Sequence, residues 1–152
     1  MPHQVAIVED DTAFARTIRE LLDGSGDFQC AAICPTAENA LEVLPRLGPK
    51  AVLMDIGLPG ASGVSCVRDL KRLLPATEIM MFTVFEDAER IYRSLAAGAS
   101  GYLLKRSTGP EVLDALRELL AGGSPMSGAI ARKVVLAFRP TGAPSPETST
   151  LT

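Results

Sequence analysis

Hydrophobic residues along this chain alternate between short continuous runs and longer stretches with helical spacing. The runs predict five strands, at residues 4–8, 28–34, 51–54, 79–82 and 102–104. Several runs are apolar without alternation, which is typical of strands that are covered on both faces. Strands that alternate with helices through short links form parallel sheets with right-handed crossovers. The expected fold class is therefore α/β, a doubly wound five-stranded parallel sheet with helices on both faces.

The stretches between the runs carry apolar residues at the spacing of one helix face. Three are strongly patterned, at residues 14–22, 40–47 and 64–74, and a weaker fourth covers residues 87–97. The fifth helix has the clearest start, because Thr108 and Glu111 form a capping-box pattern around a proline. The pair Gly122-Gly123 ends it, and a short sixth helix is predicted around residues 127–138.

Composition narrows the possible functions. The chain has 152 residues and a net charge of −3, and no basic cluster is larger than Arg132-Lys133, so we expect no direct nucleic-acid binding. No apolar run approaches the roughly 20 residues of a membrane helix. The first acidic residues, Glu9 and Asp10, occur before the hydrophobic region of a signal peptide could be complete. We therefore expect a cytoplasmic protein without membrane contact.

Cysteine and histidine offer little chemistry. Cys30, Cys34 and Cys66 lack the spacing of a zinc site and predict small buried side chains. His3 is the single histidine and lies at the terminus, which excludes Ser-His-Asp and Cys-His catalysis.

Polar side chains follow four of the five predicted strands. The first strand is followed by Glu9, Asp10 and Asp11, and the third, fourth and fifth end in Asp55, Thr83 and Lys105. Ligands bind beyond the carboxyl ends of parallel strands, so these groups are expected at one rim. Crowded carboxylates recruit a hard cation, and Mg²⁺ fits best. Beside it, Asp55 could accept a phosphoryl group whose oxygens are stabilised by Lys105 and Thr83.

Each of these groups also has an ordinary structural explanation. Asp11 or Thr12 is a suitable N-cap for the first helix, and a lone Asp or Lys at a strand end is more often solvated than catalytic. It is their combination on different strands that favours a site.

Four segments resemble the signature blocks of response-regulator receiver domains, the phosphoacceptor modules of two-component signalling. They are VAIVEDD, VLMDIGLPGASG, MMFT and GASGYLLK, and Thr83 and Lys105 follow Asp55 by 28 and 50 residues, as in the family. The resemblance covers about residues 4–122. It implies a flavodoxin-like sheet of strand order 2-1-3-4-5, and a sensor histidine kinase as partner.

The resemblance also implies a role for each residue of the rim. Asp55 corresponds to the phosphoacceptor, Thr83 and Lys105 to the phosphoryl-binding residues, and Thr83 with Tyr102 to the switch. The implied Mg²⁺ ligands are the side chains of Glu9, Asp10 and Asp55 and the backbone carbonyl of Gly57. From sequence alone, Tyr102 is equally well explained as a half-buried aromatic with a solvated hydroxyl.

Three positions depart from the common family pattern. Arg106 follows the lysine where many receivers have proline. Gly57 and Phe85, which are expected to flank the phosphorylation site, also differ from the usual residues. A missing side chain at 57 and a bulky one at 85 are expected to change the access of water to a phosphoryl group.

The C-terminal part resembles receivers that are joined to a helix-turn-helix (LuxR-type) DNA-binding domain. We expect a receiver domain at residues 1–122, a short helix at 123–139 and a flexible linker at 140–152, with the DNA-binding domain beyond the last residue. We expect the fourth helix, fifth strand and fifth helix to form the output surface, which is also the candidate homodimer interface. A free-standing receiver is the alternative.

Two other protein classes share parts of this pattern. A haloacid-dehalogenase-like phosphatase would need an acid two residues after its nucleophile, where this chain has Gly57. A nucleotide- or flavin-binding module would need glycines or hydroxyls after the first strand, where this chain has acids.

Overall fold

The structure, a computed structural model, describes residues 1–139. Five parallel strands form one sheet in the order β2-β1-β3-β4-β5. The strands are β1 (His3–Val8), β2 (Phe28–Cys34), β3 (Ala51–Met54), β4 (Glu78–Thr83) and β5 (Gly101–Leu104). The helices are α1 (Thr12–Asp23), α2 (Ala37–Leu47), α3 (Gly63–Leu73), α4 (Ala88–Ala97), α5 (Gly109–Leu120) and α6 (Gly128–Ala137). The predicted fold class, strand order and six helices are confirmed.

The unbroken apolar runs are explained by two hydrophobic cores, one on each face of the sheet. Along β1, Val5 and Ile7 point into one core, and Ala6 and Val8 point into the other. Helices α1 and α5 cover the first core, while α2, α3, α4 and Ile130 of α6 cover the second. Every residue of β3 and β5 is buried, whereas the exposed strand positions lie at the start of β1 and in the edge strand β2.

Helix starts follow the sequence signals closely. Asp11, rather than Thr12, is the N-cap of α1, and its Oδ1 accepts a hydrogen bond from the Phe14 N–H at 3.1 Å. At α5 the predicted capping box is complete, because Thr108 and Glu111 each accept a hydrogen bond from the other's backbone N–H. These caps fix where α1 and α5 leave the rim of the sheet.

Residues 125–137, called the α6 segment below, lie along the free edge of β5. The Tyr102 N–H donates to the Pro125 carbonyl at 2.9 Å, and the Ser127 N–H donates to the Tyr102 carbonyl at 3.1 Å. The Leu104 N–H donates to the Ser127 Oγ at 3.0 Å. Since three backbone groups of this edge strand are bonded in this way, the sheet has no open edge here.

The thiols lie mostly inside the protein. Cys34 and Cys66 are buried as predicted, whereas Cys30 is only half-buried because β2 is the other edge strand of the sheet. Burial raises the pKa of Cys34 to about 11 and that of Cys66 to about 12, so both thiols stay protonated at neutral pH.

None of the helices within residues 1–139 combines the length and the hydropathy that crossing a bilayer requires. The linker predicted at residues 140–152 lies outside the described residues.

Candidate functional site

Three carboxylates meet at the rim formed by the carboxyl ends of β1 and β3. One oxygen each from Glu9, Asp10 and Asp55 lies within 4.8 Å of the other two. The Asp55 N–H donates to the Val8 carbonyl at 3.1 Å, so the hydrogen-bond ladder between β1 and β3 continues one residue beyond β3 and fixes this acid. Glu9 and Asp55 are buried, and Asp10 is exposed to solvent.

Lys105 reaches this carboxylate pair from the end of β5. Its ammonium nitrogen lies 2.5 Å from the Glu9 Oε1 and 3.2 Å from the Asp55 Oδ2. The backbone N–H of the same residue donates to the Thr83 carbonyl at 2.9 Å, which joins the ends of β4 and β5. The Phe14 ring lies 4.7 Å from the ammonium and shields it on one side. The chain thus neutralises part of its own acidic rim.

The charges of this cluster perturb one another. Burial raises the pKa of Glu9, the nearby negative charge of Asp55 acts in the same direction, and the hydrogen bond from Lys105 opposes both. For Lys105, burial lowers the pKa, but its bonds and attraction to the two carboxylates outweigh burial and the net pKa is raised. Lys105 is therefore an ammonium ion at neutral pH.

The donor set fits a small hard cation. Three carboxylates that converge, one of them exposed, provide oxygen ligands on one side and leave the other side to solvent, as Mg²⁺ prefers. Within residues 1–139 this is the one such cluster of acids, histidines or cysteines. The Gly57 N–H donates to the Asp55 Oδ1 at 3.4 Å, and the role of the Gly57 carbonyl as a metal ligand stays a prediction.

Thr83 and Tyr102 are joined through the loop that follows β4. Thr83 is fully buried, and its Oγ1 accepts a hydrogen bond from the Phe85 N–H at 3.5 Å. The Tyr102 hydroxyl donates to the Phe85 carbonyl at 2.8 Å. Tyr102 has 0% exposure, so the alternative of a half-buried ring with a solvated hydroxyl is wrong, because α4 and the α6 segment cover it. Burial also raises the pKa of this phenol.

The two unusual flanking residues, Gly57 and Phe85, fit each other. A Cβ atom at position 57 would lie 3.2 Å from the Cε2 of Phe85. The Arg90 guanidinium lies over the Phe85 ring, 4.3 Å from its centroid. The sequence shows both departures but not their contact, since the two residues lie on different loops.

Gly63 is a supporting residue of the site that the sequence analysis missed. It is the first residue of α3, and a Cβ there would lie 1.9 Å from the Asp55 carbonyl oxygen. Its N–H donates to the Ile56 carbonyl at 2.9 Å. Only glycine allows α3 to start this close to the end of β3. Its place in the PGASG motif is the signal that could have indicated this role.

Comparisons with known proteins agree with this geometry. Residues 5–117 match the family described as response regulator receiver domain. The response regulator GacA of Pseudomonas aeruginosa is 31% identical over 144 residues, which cover 94% of this chain and 67% of that protein. The transcriptional regulatory protein DegU of Brevibacillus brevis is 27% identical over 136 residues, which cover 90% of this chain and 58% of that protein.

A solved structure gives the same result. The two-component response regulator of the LuxR family from Aurantimonas sp. SI85-9A1 superimposes with a TM-score of 0.85 at 27% identity, over 90% of this chain and 98% of that one. The chain spans 58% to 67% of the length of the relatives GacA and DegU. The family match covers well over half of the 152 residues and includes the acidic rim, Thr83 and Lys105. This chain belongs to the response-regulator receiver domain family.

Proposed function

We propose that Asp55 accepts a phosphoryl group from a sensor histidine kinase, with Mg²⁺ bound at the rim, and that the modified chain controls a transcriptional output. The observation that carries this proposal is the convergence of Glu9, Asp10 and Asp55, with the Lys105 ammonium 3.2 Å from the acceptor carboxylate. No other set of side chains in residues 1–139 combines a nucleophile, a cation-binding cluster and a fixed positive charge.

In the proposed reaction, an oxygen of Asp55 attacks phosphorus and forms an acyl phosphate while the bond from phosphorus to the donor group breaks. A divalent cation held by Glu9, Asp10 and Asp55 would offset the negative charge of the approaching phosphoryl group. Lys105 already lies beside the attacking carboxylate and can pair with a phosphoryl oxygen. A carboxylate nucleophile needs no general base, so positioning and charge suffice.

The modification then acts on the Thr83 hydroxyl. A phosphoryl group adds roughly −1.5 to −2 charges and strong hydrogen-bond acceptors. Thr83 can donate its hydroxyl to one of them, and its present partner is the backbone of Phe85. Since the Phe85 carbonyl also holds Tyr102, a change at Thr83 reaches β5 and the surface near α4.

The relatives support a proposal for the output and the partners of this chain. DegU is a transcriptional regulatory protein, and this chain spans only part of its length. We infer a C-terminal DNA-binding domain in the whole protein, no direct nucleic-acid binding by the present residues, and a homodimer as a possible active form. The chain would catalyse only its own phosphorylation and dephosphorylation.

Replacement of the acceptor tests the proposal. With Mg²⁺ and radiolabelled acetyl phosphate, wild-type protein should take up about one label per chain, and Asp55→Asn should take up none. Asp11→Asn is the matched control, because it changes a neighbouring acid and keeps an N-cap residue. Label on Asp55→Asn at the wild-type level would contradict the assignment. Multiple turnover of a generic phosphate monoester would instead indicate a phosphatase.

A further inference from the structure

A cavity of about 420 Å³ lies between α3 and α4, and its charged lining is entirely basic. Arg68 of α3 and Arg90 and Arg93 of α4 line it, and no aspartate or glutamate of residues 1–139 does so. The cavity is called the α3–α4 pocket below. Its charge is opposite in sign to the net charge of the chain, which is −3.

Two of the three arginines are oriented by acids of the same helix or its cap. The Asp87 Oδ1 accepts a hydrogen bond from the Arg90 Nη1 at 2.7 Å, and the Glu89 Oε2 accepts one from the Arg93 Nη2 at 2.9 Å. The Arg90 guanidinium also lies over the Phe85 ring. Each acid engages one terminal nitrogen, whereas a guanidinium carries five N–H donors. Both arginines therefore keep donors for a further acceptor.

The third arginine, Arg68, lines the pocket from the opposite helix. It is exposed and forms no ion pair with any residue of 1–139. Since no neighbouring acid offsets its charge, the pocket stays positive even when Asp87 and Glu89 are counted.

The uncharged part of the lining suits an organic anion. Ser62 is the N-cap of α3, and its Oγ accepts a hydrogen bond from the Ser65 N–H at 3.3 Å, so its hydroxyl hydrogen is available to an acceptor in the pocket. Ser65 provides a second hydroxyl, and Ile56 and Val64 provide an apolar wall. Guanidinium groups pair with phosphate through two parallel hydrogen bonds, which a hydroxyl can supplement.

We propose that the α3–α4 pocket binds a small molecule that carries phosphate groups, with Arg68, Arg90 and Arg93 as the residues that hold the anion. This site is separate from the acidic rim, because none of Glu9, Asp10 and Asp55 lines it. A small molecule is favoured over an acidic protein because the three charges meet in a concave space of the size that small ligands occupy. The chain would then have a second chemical input besides phosphorylation.

The experiment is isothermal titration calorimetry of the full chain with two probes, inorganic pyrophosphate and ADP. EDTA is present, so that no metal ion brings a phosphate group to the acidic rim. Wild-type protein should bind about one probe molecule per chain. Arg68→Ala and Arg93→Ala should each bind at least fivefold more weakly, because each loses a charge-assisted hydrogen-bond donor. Arg68→Lys should lie between Arg68→Ala and wild type, since it keeps the charge and loses the planar fork.

Arg72→Ala is the matched control, because it removes the same charge from an exposed position of α3 that does not line the pocket. Its affinity should stay within twofold of wild type. Thermal melting of each variant checks that the fold is retained. Tighter binding of ADP than of pyrophosphate would mean that the phosphate groups belong to a larger metabolite. Tighter binding of pyrophosphate would mean that the free inorganic anion is the ligand, and both results support the site.

Three outcomes would overturn this inference. They are wild-type protein that binds neither probe saturably, Arg68→Ala and Arg93→Ala affinities equal to wild type, and an equal loss in Arg72→Ala, which would show a response to net charge alone. A polyglutamate peptide that binds through Arg68, while neither probe binds, would indicate an acidic protein partner instead. None of these results bears on the phosphorylation of Asp55, which is tested separately.

Discussion

At the scale of single residues, Lys105 is the group on which the rest of the site depends. It is the one cation in contact with the two buried acids Glu9 and Asp55 among the described residues. Its own pKa is raised despite burial because both carboxylates stabilise its charge. Without it, two acids would share a poorly solvated space, which is unfavourable for both ionised forms.

Replacement of Lys105 by methionine keeps the aliphatic stem and removes the charge. We expect Lys105→Met to lower the free energy of unfolding by about 2 kcal/mol at pH 7.5, less than for a fully buried pair because water reaches the site. Burial raises the pKa of Glu9, and Lys105→Met removes the hydrogen bond that opposes this rise, so protonation of Glu9 as the pH falls stabilises the folded variant more than the folded wild type. The loss should therefore be smaller at pH 5.

Urea denaturation at the two pH values measures this effect. Arg106→Met is the control, since it removes the adjacent but largely exposed cation and should cost little. An equal loss for Lys105→Met at both pH values would contradict the electrostatic explanation.

The residue types along the chain predicted which residues form the site, but not how the loops around it pack against one another. The sequence identified four members of the site because each follows a strand, and strand ends meet at one rim. They are Glu9, Asp10, Asp55 and Lys105. The depth of Tyr102 could not be predicted, because it depends on a segment more than twenty residues later in the chain. Side-chain burial of this kind is decided by tertiary packing rather than by local pattern.

At the scale of elements, the start of α3 determines the position of Asp55, the proposed phosphoacceptor. Gly63 places the first turn of α3 against the backbone of Asp55, closer than any residue with a Cβ allows. Helical periodicity over residues 64–74 predicted α3 itself, and Val67 and Leu70 of that pattern are buried in the structure. Periodicity cannot report how closely a helix start approaches a neighbouring strand.

We predict that Gly63→Ala lowers the free energy of unfolding by about 3 kcal/mol, because the new methyl group overlaps a backbone oxygen that cannot move freely. Gly128→Ala is the matched control. It is likewise the first residue of a helix, but a Cβ there meets no atom within 4 Å. Thermal unfolding should separate the two variants, and a Gly63→Ala midpoint equal to that of wild type would show that the loop adapts at no cost.

At the scale of the whole molecule, the fold concentrates negative charge at one rim while the two cores hold it together. The net charge is only −3, yet three carboxylates meet within 4.8 Å. The pattern of apolar runs was sufficient to predict a doubly wound sheet, because strands that are buried on both faces occur almost only in parallel sheets covered by helices on each side. The strand order came from the family resemblance, since hydrophobic pattern does not specify which strands are neighbours.

The proposed Mg²⁺ site at the rim would make the stability of the molecule depend on divalent cations. A ligand present at one hundred times its dissociation constant stabilises a fold by about 2.7 kcal/mol. We expect Mg²⁺ to raise the melting temperature of the wild type by several degrees and to have almost no effect on Asp10→Asn. Since Asp10 is exposed, this variant should melt near the wild-type temperature without Mg²⁺.

Calorimetry with and without Mg²⁺ tests this expectation, with Asp11→Asn as a variant that should keep the full response. Equal Mg²⁺ responses in Asp10→Asn and wild type would contradict the predicted ligand set.

The bonds between β5 and residues 125–127 also bear on how the protein can be shortened. A fragment that ends at residue 122 keeps Asp55, Thr83 and Lys105, but it leaves the N–H and carbonyl of Tyr102 and the N–H of Leu104 without partners. Strands with free edges pair with strands of other molecules, which leads to aggregation. In light scattering at high concentration, residues 1–122 should therefore form large particles, whereas residues 1–139 should remain in solution.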